Sequence, residues 1–550
     1  MKRAIYLLAI TSCATYSEPM AVRFANAPPV AAVDDRRDVA VKPEMLEPYN
    51  SLDFYDRSFT GPIVRTLELP DHRRALGTNA LDEVPDSTWF TNRIGVRDLT
   101  PAEIARGPAN DDGPEAHKPW TVHSTKPGGT QLGFVVTDAR GVKYLLSFDD
   151  PTRPEMETAS AMIVNRLLWA AGYYVPDDQI AYVRPNELVL APDAKIKDHL
   201  GHEVGHLDQD EMIRKLALAW HTPDGRIRVF ASRYLPGVSV GGTPPSGVRD
   251  DDPNDRIPHE RRRDRRGQYP ILAWLDHIDL VQSNFLDMWT ADPANPERHY
   301  LVHYLVDFGK SLGTMGVTDH YLQEGHAYAF DWADQTRQLF TLGLWPRPWG
   351  HYWAPPFVGV SPTFTAEAFD PGAWKPDLPY MPFDEADRFD MFWGAKLMAR
   401  FTREQIRAAV DAAKLSDPRA AAYLTDTLVA RQQATTRYWF ARVNPLDRFA
   451  VAAHALCFDD LAIVAGLAPS AATRYELASV DAAGRPIGTV AIAAGPTGLT
   501  CTHDVIMSND PGGYTIVKVT TQRAEYGGAT LVHLARAAGG EWRVIGVWRL

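Results

Sequence analysis

The feature that most constrains the fold of this chain is a pair of short polar strings that enclose two strand-like runs. The first string, HIDLVQSN, runs from His277 to Asn284, and the second, DFG, runs from Asp307 to Gly309. Between them lie FLDMW and HYLVHYLV, two runs rich in β-forming residues, joined by a loop that contains proline and asparagine. This pattern predicts a β-hairpin. A hairpin brings the ends of the two strings together although they are far apart in the chain.

The residue types in the two strings suit the transfer of a phosphoryl group. HIDLVQSN fits the pattern H-x-D-x-x-x-x-N, in which the aspartate takes the proton of an attacking hydroxyl and the asparagine holds a metal ion. The aspartate of DFG holds a metal ion in the same chemistry. We therefore predict that Asp279 is the catalytic base and that Asn284 and Asp307 are Mg²⁺ ligands.

Two segments upstream of these strings add to the same prediction. Two β-forming runs surround a short turn, and Gly128 and Gly129 precede the first run. This indicates a hairpin with either a phosphate-covering glycine loop or a plain turn. The next segment has apolar residues at helical spacing. Its first turn carries Glu155 and Glu157, which complement the helix dipole.

With these parts in this order, residues 120 to 445 resemble the protein-kinase-like superfamily, and atypical bacterial branches such as the HipA and CotH kinases most of all. The resemblance implies a bilobal protein-kinase-like fold of the α+β class, with ATP and Mg²⁺ as cofactors. It also implies that Glu157, or Glu155 in its place, pairs with the lysine that binds the nucleotide. The implied acceptor is a protein or a small hydroxylated molecule.

The chain departs from this family at the lysine itself. Ser147 stands where such proteins carry the lysine that anchors the nucleotide, and Lys143 lies ~13 Å away along an extended strand. Lys126 could reach the pocket from the neighbouring strand. We therefore predict Lys126, Gly128 and Gly129 as nucleotide-binding residues. Because loss of this cation costs several orders of magnitude in rate, a catalytically degenerate scaffold is the alternative function.

The N-terminus indicates export. A basic start and the apolar run AIYLLAI are followed by ITSC, which resembles a bacterial lipobox. We predict a signal peptide over residues 1–12, lipidation of Cys13 and a tether over residues 13–46. The alternative is an ordinary signal peptide that is cleaved near Ala25 or Ala27. The predicted location is the bacterial cell envelope, where the lipid anchors the protein to the outer membrane or its periplasmic face.

The C-terminal part of the chain has a different pattern. From about residue 455 onward, short alternating strands are separated by glycine-rich turns, which predicts a small β-sandwich over residues 455–550 after a kinase-like domain over residues 47–450. Apart from Cys13, the cysteines are Cys457 and Cys501. Because the chain is predicted to be exported, we expect these two to form a disulfide.

The charge balance argues against nucleic acid as a partner. The net charge is -12, whereas binding to a phosphate backbone needs a dominant basic surface. Five arginines nevertheless crowd into residues 261–266. We expect them to form a solvated helix face beside acidic residues, and phosphate binding is the alternative.

One further string could bind zinc. HEVGH, from His202 to His206, fits H-E-x-x-H, in which two histidines on one helix face hold the metal and Glu203 activates water. Gly201 and Gly205 weaken any helix at this point. We therefore expect a solvated or hydrogen-bonded histidine pair, and a zinc hydrolase stays open as an alternative only if the two polar strings have no catalytic role.

Overall fold

The computed structural model describes residues 20–46, 50–67, 73–128, 131–198, 200–315, 323–510 and 512–550. Cys13, Gly129 and the predicted signal peptide lie outside these ranges. The described chain mixes helices and strands, and it divides into two compact units. We call residues 30–79 and 83–442 the main unit, and residues 20–29, 80–82 and 443–550 the C-terminal unit. Within the described ranges, no helix combines the length and the hydropathy that a membrane span needs.

The main unit contains both helices and strands. Its helices are α1 (Asn50–Tyr55), α2 (Gly61–Leu67), α3 (Pro101–Arg106), α4 (Met156–Ala171), α5 (Gln209–Leu216), α6 (Arg263–Arg266), α7 (Gln268–Leu275), α8 (Trp332–Phe340), α9 (Met381–Asp384), α10 (Arg388–Met398), α11 (Arg403–Ala412) and α12 (Pro418–Phe440). Its strands are β1 (Trp120–Thr125), β2 (Gly133–Thr137), β3 (Lys143–Phe148), β4 (Asp178–Val183), β5 (Leu188–Lys197), β6 (Glu203–His206), β7 (Ile227–Arg233), β8 (Val238–Gly242), β9 (Phe285–Asp292) and β10 (Asn295–Leu305).

The largest sheet of the main unit has seven strands in the order β4-β7-β3-β2-β1-β5-β6. Its neighbouring strands are antiparallel except β1 and β5, which are parallel. The β2–β3 turn is built by local bonds, because Asp138 Oδ1 accepts from the backbone N–H groups of Arg140 and Val142. Gly141 in this turn has a φ of 81°, a left-handed conformation that glycine adopts without strain. Apolar residues of the sheet and α5 form one hydrophobic cluster.

A second hydrophobic cluster of the main unit is mainly helical. It joins α4 to α7, α10, α11 and α12, and Trp274 and Trp393 are fully buried in it. The start of α11 is fixed by a capping box: Thr402 Oγ1 accepts from the Gln405 N–H, and Gln405 Oε1 accepts from the Thr402 N–H. Both bonds join residues three apart in the chain, so the local sequence is sufficient to form this box.

The arginine run does not form the solvated face that the sequence predicts. Arg263, Arg265 and Arg266 are at most 2% exposed. Arg263 Nε lies 2.6 Å from a carboxylate oxygen of Asp390, and Arg266 Nη1 lies 3.5 Å from the other oxygen. Both ends of the ion pairs are therefore buried between α6 and α10. The expectation was wrong because the balancing carboxylate comes from a distant part of the chain rather than from the acids beside the run.

Residues 30–46 also differ from the predicted free tether. The backbone N–H of Val39 donates to the carbonyl oxygen of His299, and the indole N–H of Trp289 donates to the carbonyl oxygen of Val39. Val39 is buried with Val240 and Leu301. This part of the chain therefore packs on the three-stranded sheet β10-β9-β8.

The C-terminal unit contains two antiparallel sheets. Its elements are β11 (Leu446–Ala452), β12 (Ala455–Asp460), α13 (Leu461–Val464), β13 (Arg474–Asp481), β14 (Pro486–Ala493), β15 (Leu499–Thr502), β16 (Thr515–Gln522), β17 (Gly528–Arg536) and β18 (Trp542–Arg549). The sheets have the orders β11-β12-β15 and β14-β13-β16-β17-β18 and share one hydrophobic cluster. Cys457 and Cys501 face each other across β12 and β15, where they form a disulfide with a Cα–Cα distance of 4.1 Å.

Candidate active site

The hairpin of β9 and β10 brings Asn284 and Asp307 to the same end of one structural element. Phe285 pairs with Leu305, so the residue before β9 and the residues after β10 are neighbours. The backbone N–H of Val306 donates to the carbonyl oxygen of Asn284 over 3.0 Å. Asp307 is exposed and has a φ of 59°, in the left-handed region. The fold therefore juxtaposes the two polar strings, as the hairpin pattern predicts.

A side-chain bond links the two ends of the HIDLVQSN string. The amide Nδ2 of Asn284 donates to the carbonyl oxygen of Asp279 over 3.0 Å, and Asn284 is buried. Since the amide nitrogen is used in this way, the Oδ1 of Asn284 remains as an acceptor. The bond fixes the loop that carries Asp279 relative to the start of β9.

His277 attaches the same string to the residues that follow DFG. Its Nδ1 lies 2.8 Å from the hydroxyl oxygen of Ser311, and its ring meets that of Phe308 edge-on at 5.8 Å. Burial lowers the pKa of His277, although the negative charges of Asp279 and Asp307 oppose this effect. Through these contacts, His277 is a structural link between the two strings.

Lys310, directly after DFG, is a residue of the site that the sequence analysis missed. Its Nζ lies 3.3 Å from Asp279 Oδ2 and 3.7 Å from Asp377 Oδ2. Burial lowers the pKa of Lys310, but Asp279 and Asp377 raise it more, so the net shift is upward. Burial raises the pKa of Asp377 to about 6. The position of this lysine directly after DFG is the one signal that the sequence offered.

Lys126 lies beside Ser147, the position at which the sequence analysis expects the nucleotide lysine of a kinase. The ammonium of Lys126 donates to Ser147 Oγ over 2.9 Å. Ser147 pairs with Gly133 on β2, and the Gly133 carbonyl accepts from the Lys126 N–H over 2.9 Å. A Cβ at Gly133 would lie 1.9 Å from the carbonyl oxygen of Leu146, so only glycine lets β2 and β3 approach this closely here.

Glu157, near the start of α4, is the acid on the site side of that helix. A Cβ on Gly309 of DFG would lie 2.8 Å from Glu157 Oε1, which shows how closely the carboxyl approaches that motif. Burial raises the pKa of Glu157 to about 8, with Lys126 opposing the shift and Asp307 adding to it. Glu155, in contrast, accepts from the backbone N–H of Ser416 over 2.8 Å.

These contacts form one chain of charges across the site. Lys126 and Asp307 both influence Glu157, and Asp307 and Asp279 both influence Lys310. Lys126 and Lys310 thus lie within electrostatic range of a group of acids formed by Glu157, Asp307 and Asp279. Such a cluster can hold a polyanion at its cations and a divalent cation at its free oxygens. Of the predicted nucleotide residues, Gly128 has a left-handed φ of 73° and precedes the undescribed Gly129.

The HEVGH string has no zinc-binding geometry. Glu203 to His206 form β6, not a helix, and His202 and His206 are exposed. Glu203 Oε2 accepts from Lys195 Nζ over 2.6 Å. Residues four apart in a strand are ~13 Å apart, too far to share one metal ion. Across the described ranges, no group of three or more His, Cys, Asp or Glu residues could hold a metal ion.

Comparison with known proteins gives little further guidance. No protein-family model matches the sequence, and no curated protein matches it. A crystal structure of the Golgi casein kinase with Mn and ADP bound is 10% identical, with a TM-score of 0.28 over 62% of this chain and 73% of that chain. A second crystal structure of the Golgi casein kinase, also 10% identical, has a TM-score of 0.23 over 72% of this chain and 96% of that chain. Similarities this weak carry no argument about this protein.

Proposed function

We propose that this protein is an ATP- and Mg²⁺-dependent phosphotransferase with a bilobal, atypical kinase-like main unit. The observation that carries the proposal is the β9–β10 hairpin, which joins the catalytic-loop string to DFG at one end. Lys126 and Glu157 approach the same cluster from the seven-stranded sheet and from α4. If the two strings were chance matches, there would be no reason for the ammonium of Lys126 and the carboxyl of Glu157 to lie close to them.

Asp279 is the proposed base. It would accept the proton of the acceptor hydroxyl as the oxygen–phosphorus bond forms and the bond to the leaving nucleoside diphosphate breaks. In the free protein its carboxylate is paired with Lys310 over 3.3 Å. We propose that Lys310 positions Asp279 and that its charge stabilises the additional negative charge on the transferred group.

The residues at the hairpin end fit a magnesium site. Asp307 offers an exposed carboxylate, and Asn284 offers the amide oxygen that its bond to Asp279 leaves unused. Mg²⁺ commonly takes only one or two protein ligands of this type and completes its shell with phosphate oxygens and water. When bound, the ion neutralises phosphate charge. Lys126 is the proposed phosphate partner in place of a lysine at Ser147, and Gly128 and Gly129 the proposed loop over the phosphates.

The test is nucleotide-dependent stabilisation of the full chain. Binding at a hundredfold excess over Kd stabilises a fold by ~2.7 kcal/mol, which a melting curve detects. We expect ATP with Mg²⁺ to raise the Tm of the wild type, Asp307→Ala to abolish that rise, and Asp279→Ala to keep the rise but lose phosphotransfer. Asp426→Ala, in an exposed ion pair on α12, is the matched control. No rise in the wild type, or full turnover in Asp279→Ala, would contradict the proposal.

A binding scaffold with a degenerate kinase fold is the second candidate. The serine at position 147 favours it, because this side chain offers no positive charge at the position where kinases carry the nucleotide lysine. A scaffold would bind its partner without nucleotide turnover, so retained binding with no measurable phosphotransfer in the wild type would favour this function over the first.

We propose that the protein acts at the bacterial cell envelope, anchored by lipid on Cys13. Export is supported by the apolar N-terminal run and by the Cys457–Cys501 disulfide, because disulfides persist in oxidising compartments. The proposed acceptor is a protein or small hydroxylated molecule of that compartment. We further propose that the C-terminal unit is a β-sandwich that contacts a partner.

A further inference from the structure

A cavity of about 680 Å³ lies in the main unit and shares no residue with the candidate active site. It is a cleft open to solvent, formed where the loop after α3, the C-terminal end of α4, the end of β7 and the end of β10 meet. Its volume is within the range of small-molecule sites. Four aromatic side chains contribute to its wall: Trp169, Tyr174, Tyr234 and Tyr304. A wall of this kind suits a ligand with a flat ring.

Most of the charge in the wall is internally balanced. Arg233 Nη1 lies 3.2 Å from Asp111 Oδ2 and 3.8 Å from Asp177 Oδ2. Asp111 also pairs with Arg140 over 3.3 Å. These groups neutralise one another, so they offer a ligand little net charge.

Arg93 is different. Among the described residues, no carboxylate lies within 4.0 Å of its guanidinium. Its Nη1 donates to the carbonyl oxygens of Trp169 over 2.6 Å and Tyr173 over 3.1 Å, and the group lies 5.1 Å from the Trp169 ring centroid. Burial lowers the pKa of Arg93 to about 10, although the negative charges of Tyr174 and Asp86 oppose this effect. Five N–H donors are available on a guanidinium, and the two bonds use one nitrogen.

We propose that this cavity binds a small aromatic carboxylate, with its ring against Trp169 and Tyr304 and its carboxylate on Arg93. Charge-assisted bonds from a guanidinium to a carboxylate are among the strongest in proteins, and burial strengthens them. Tyr304 lies on β10, three residues before Asp307, so the ligand would contact the element that carries the candidate active site. The proposal does not depend on phosphotransfer.

The probes are indole-3-acetate and its neutral amide, indole-3-acetamide, titrated into the full-length protein by calorimetry. The two have nearly the same shape, so their difference in Kd reports on the charge. We expect the carboxylate to bind at least ~10-fold more tightly than the amide. Arg93→Gln should remove this preference, and Arg93→Lys should keep part of it. Tyr304→Leu should weaken both probes to a similar extent.

The matched control is Arg214→Gln, which removes the same charge from an exposed arginine that pairs with Glu211, away from the cavity. It should leave the preference unchanged. A purely structural Arg93, which only satisfies carbonyls at the end of α4, would affect stability but not the ratio of the two Kd values. Equal Kd values for the probes in the wild type, no binding of either at millimolar concentration, or an unchanged ratio in a folded Arg93→Gln or Arg93→Lys protein would overturn the proposal.

Discussion

The contact between Lys126 and Ser147 shows how a side chain directly after β1 can supply the charge that β3 lacks, although β2 lies between the two strands. Lys126 Nζ reaches Ser147 Oγ over 2.9 Å, while Ser147 itself is only 6% exposed. The cation therefore arrives at the same point of the site from a different position in the chain. A lysine at position 126 and a lysine at position 147 should therefore be able to replace one another, and variants at both positions can test this.

We predict that Lys126→Gln removes most nucleotide binding and that the double variant Lys126→Gln with Ser147→Lys restores part of it. A charged hydrogen bond contributes ~1.5–3 kcal/mol, so the single change should weaken binding ~10- to 100-fold. The measurement is the Kd of ATP with Mg²⁺. The control is Lys143→Gln. Lys143 lies on β3 with Ser147, but its ammonium lies over the ring of Tyr234, so this change should have little effect on nucleotide binding. A double variant no better than the single one would mean that Lys126 acts outside this position.

The titration of Glu157 predicts a pH dependence of stability in metal-free buffer. Its pKa is raised from 4.5 to about 8 in the folded protein, so between these values the unfolded chain releases a proton that the folded chain keeps. The free energy of unfolding must then fall as pH rises through this window. We predict that Glu157→Gln stabilises the protein at pH 8 by ~2–4 kcal/mol relative to the wild type, and much less at pH 5.

The measurement for Glu157 is urea denaturation at pH 5 and pH 8 in the presence of EDTA. Glu211→Gln, on the exposed N-terminal turn of α5, provides a control with the same chemical change. If the free energy of unfolding changed with pH by the same amount in Glu157→Gln and in the wild type, the Glu157 carboxyl would be ionised throughout this pH range, and the prediction would be wrong.

Local signals in the sequence identified some of these residues and not others. The hairpin and the capping box at Thr402 follow from neighbouring residues, and Lys126 follows from its place beside a glycine-rich turn. Lys310 was missed because its role depends on Asp279 and Asp377, which lie on other segments. The closeness of a lysine to carboxylates from other segments is a tertiary property that no local pattern encodes.

At the scale of elements, α6 and α10 are held by ions rather than by apolar side chains alone. Asp390 is fully buried, and it faces the guanidinium groups of both Arg263 and Arg266. Transfer of such charges from water is expensive, and their mutual attraction offsets that cost only while every partner is present. This explains why the arginine run was misread from the sequence, since a run of cations is normally solvated.

We predict that Asp390→Asn destabilises the protein by ~3–5 kcal/mol, because it removes the charge of the buried carboxylate that two buried guanidinium groups share. Asp426→Asn makes the same chemical change in an exposed pair with Arg403 on α11 and should cost less than ~1 kcal/mol. Chemical denaturation of both variants gives the comparison. Equal losses in the two would show that the buried cluster contributes no more than a surface pair.

At the scale of the whole molecule, the predicted lipid anchor determines where the candidate site would work. We predict that Cys13→Ala leaves the protein soluble in the periplasm or medium, whereas the wild type fractionates with membranes, because a single change removes the acylated residue. Fractionation with immunoblotting is the measurement, and Cys457→Ala is a cysteine control that should stay with the membranes. A Cys13→Ala protein that still sediments with membranes would contradict the anchor.

The β9–β10 hairpin also bears on how relatives of this chain could be found. Adding or deleting one residue in each strand beside the loop lengthens or shortens the hairpin by ~3.4 Å at its far end. The pairing of Phe285 with Leu305 stays as it is, so Asn284 and Asp307 keep their positions. The gap between the two polar strings is thus free to drift during evolution in steps of two residues. A homology search that allows this gap to vary should recover distant members that a fixed spacing discards.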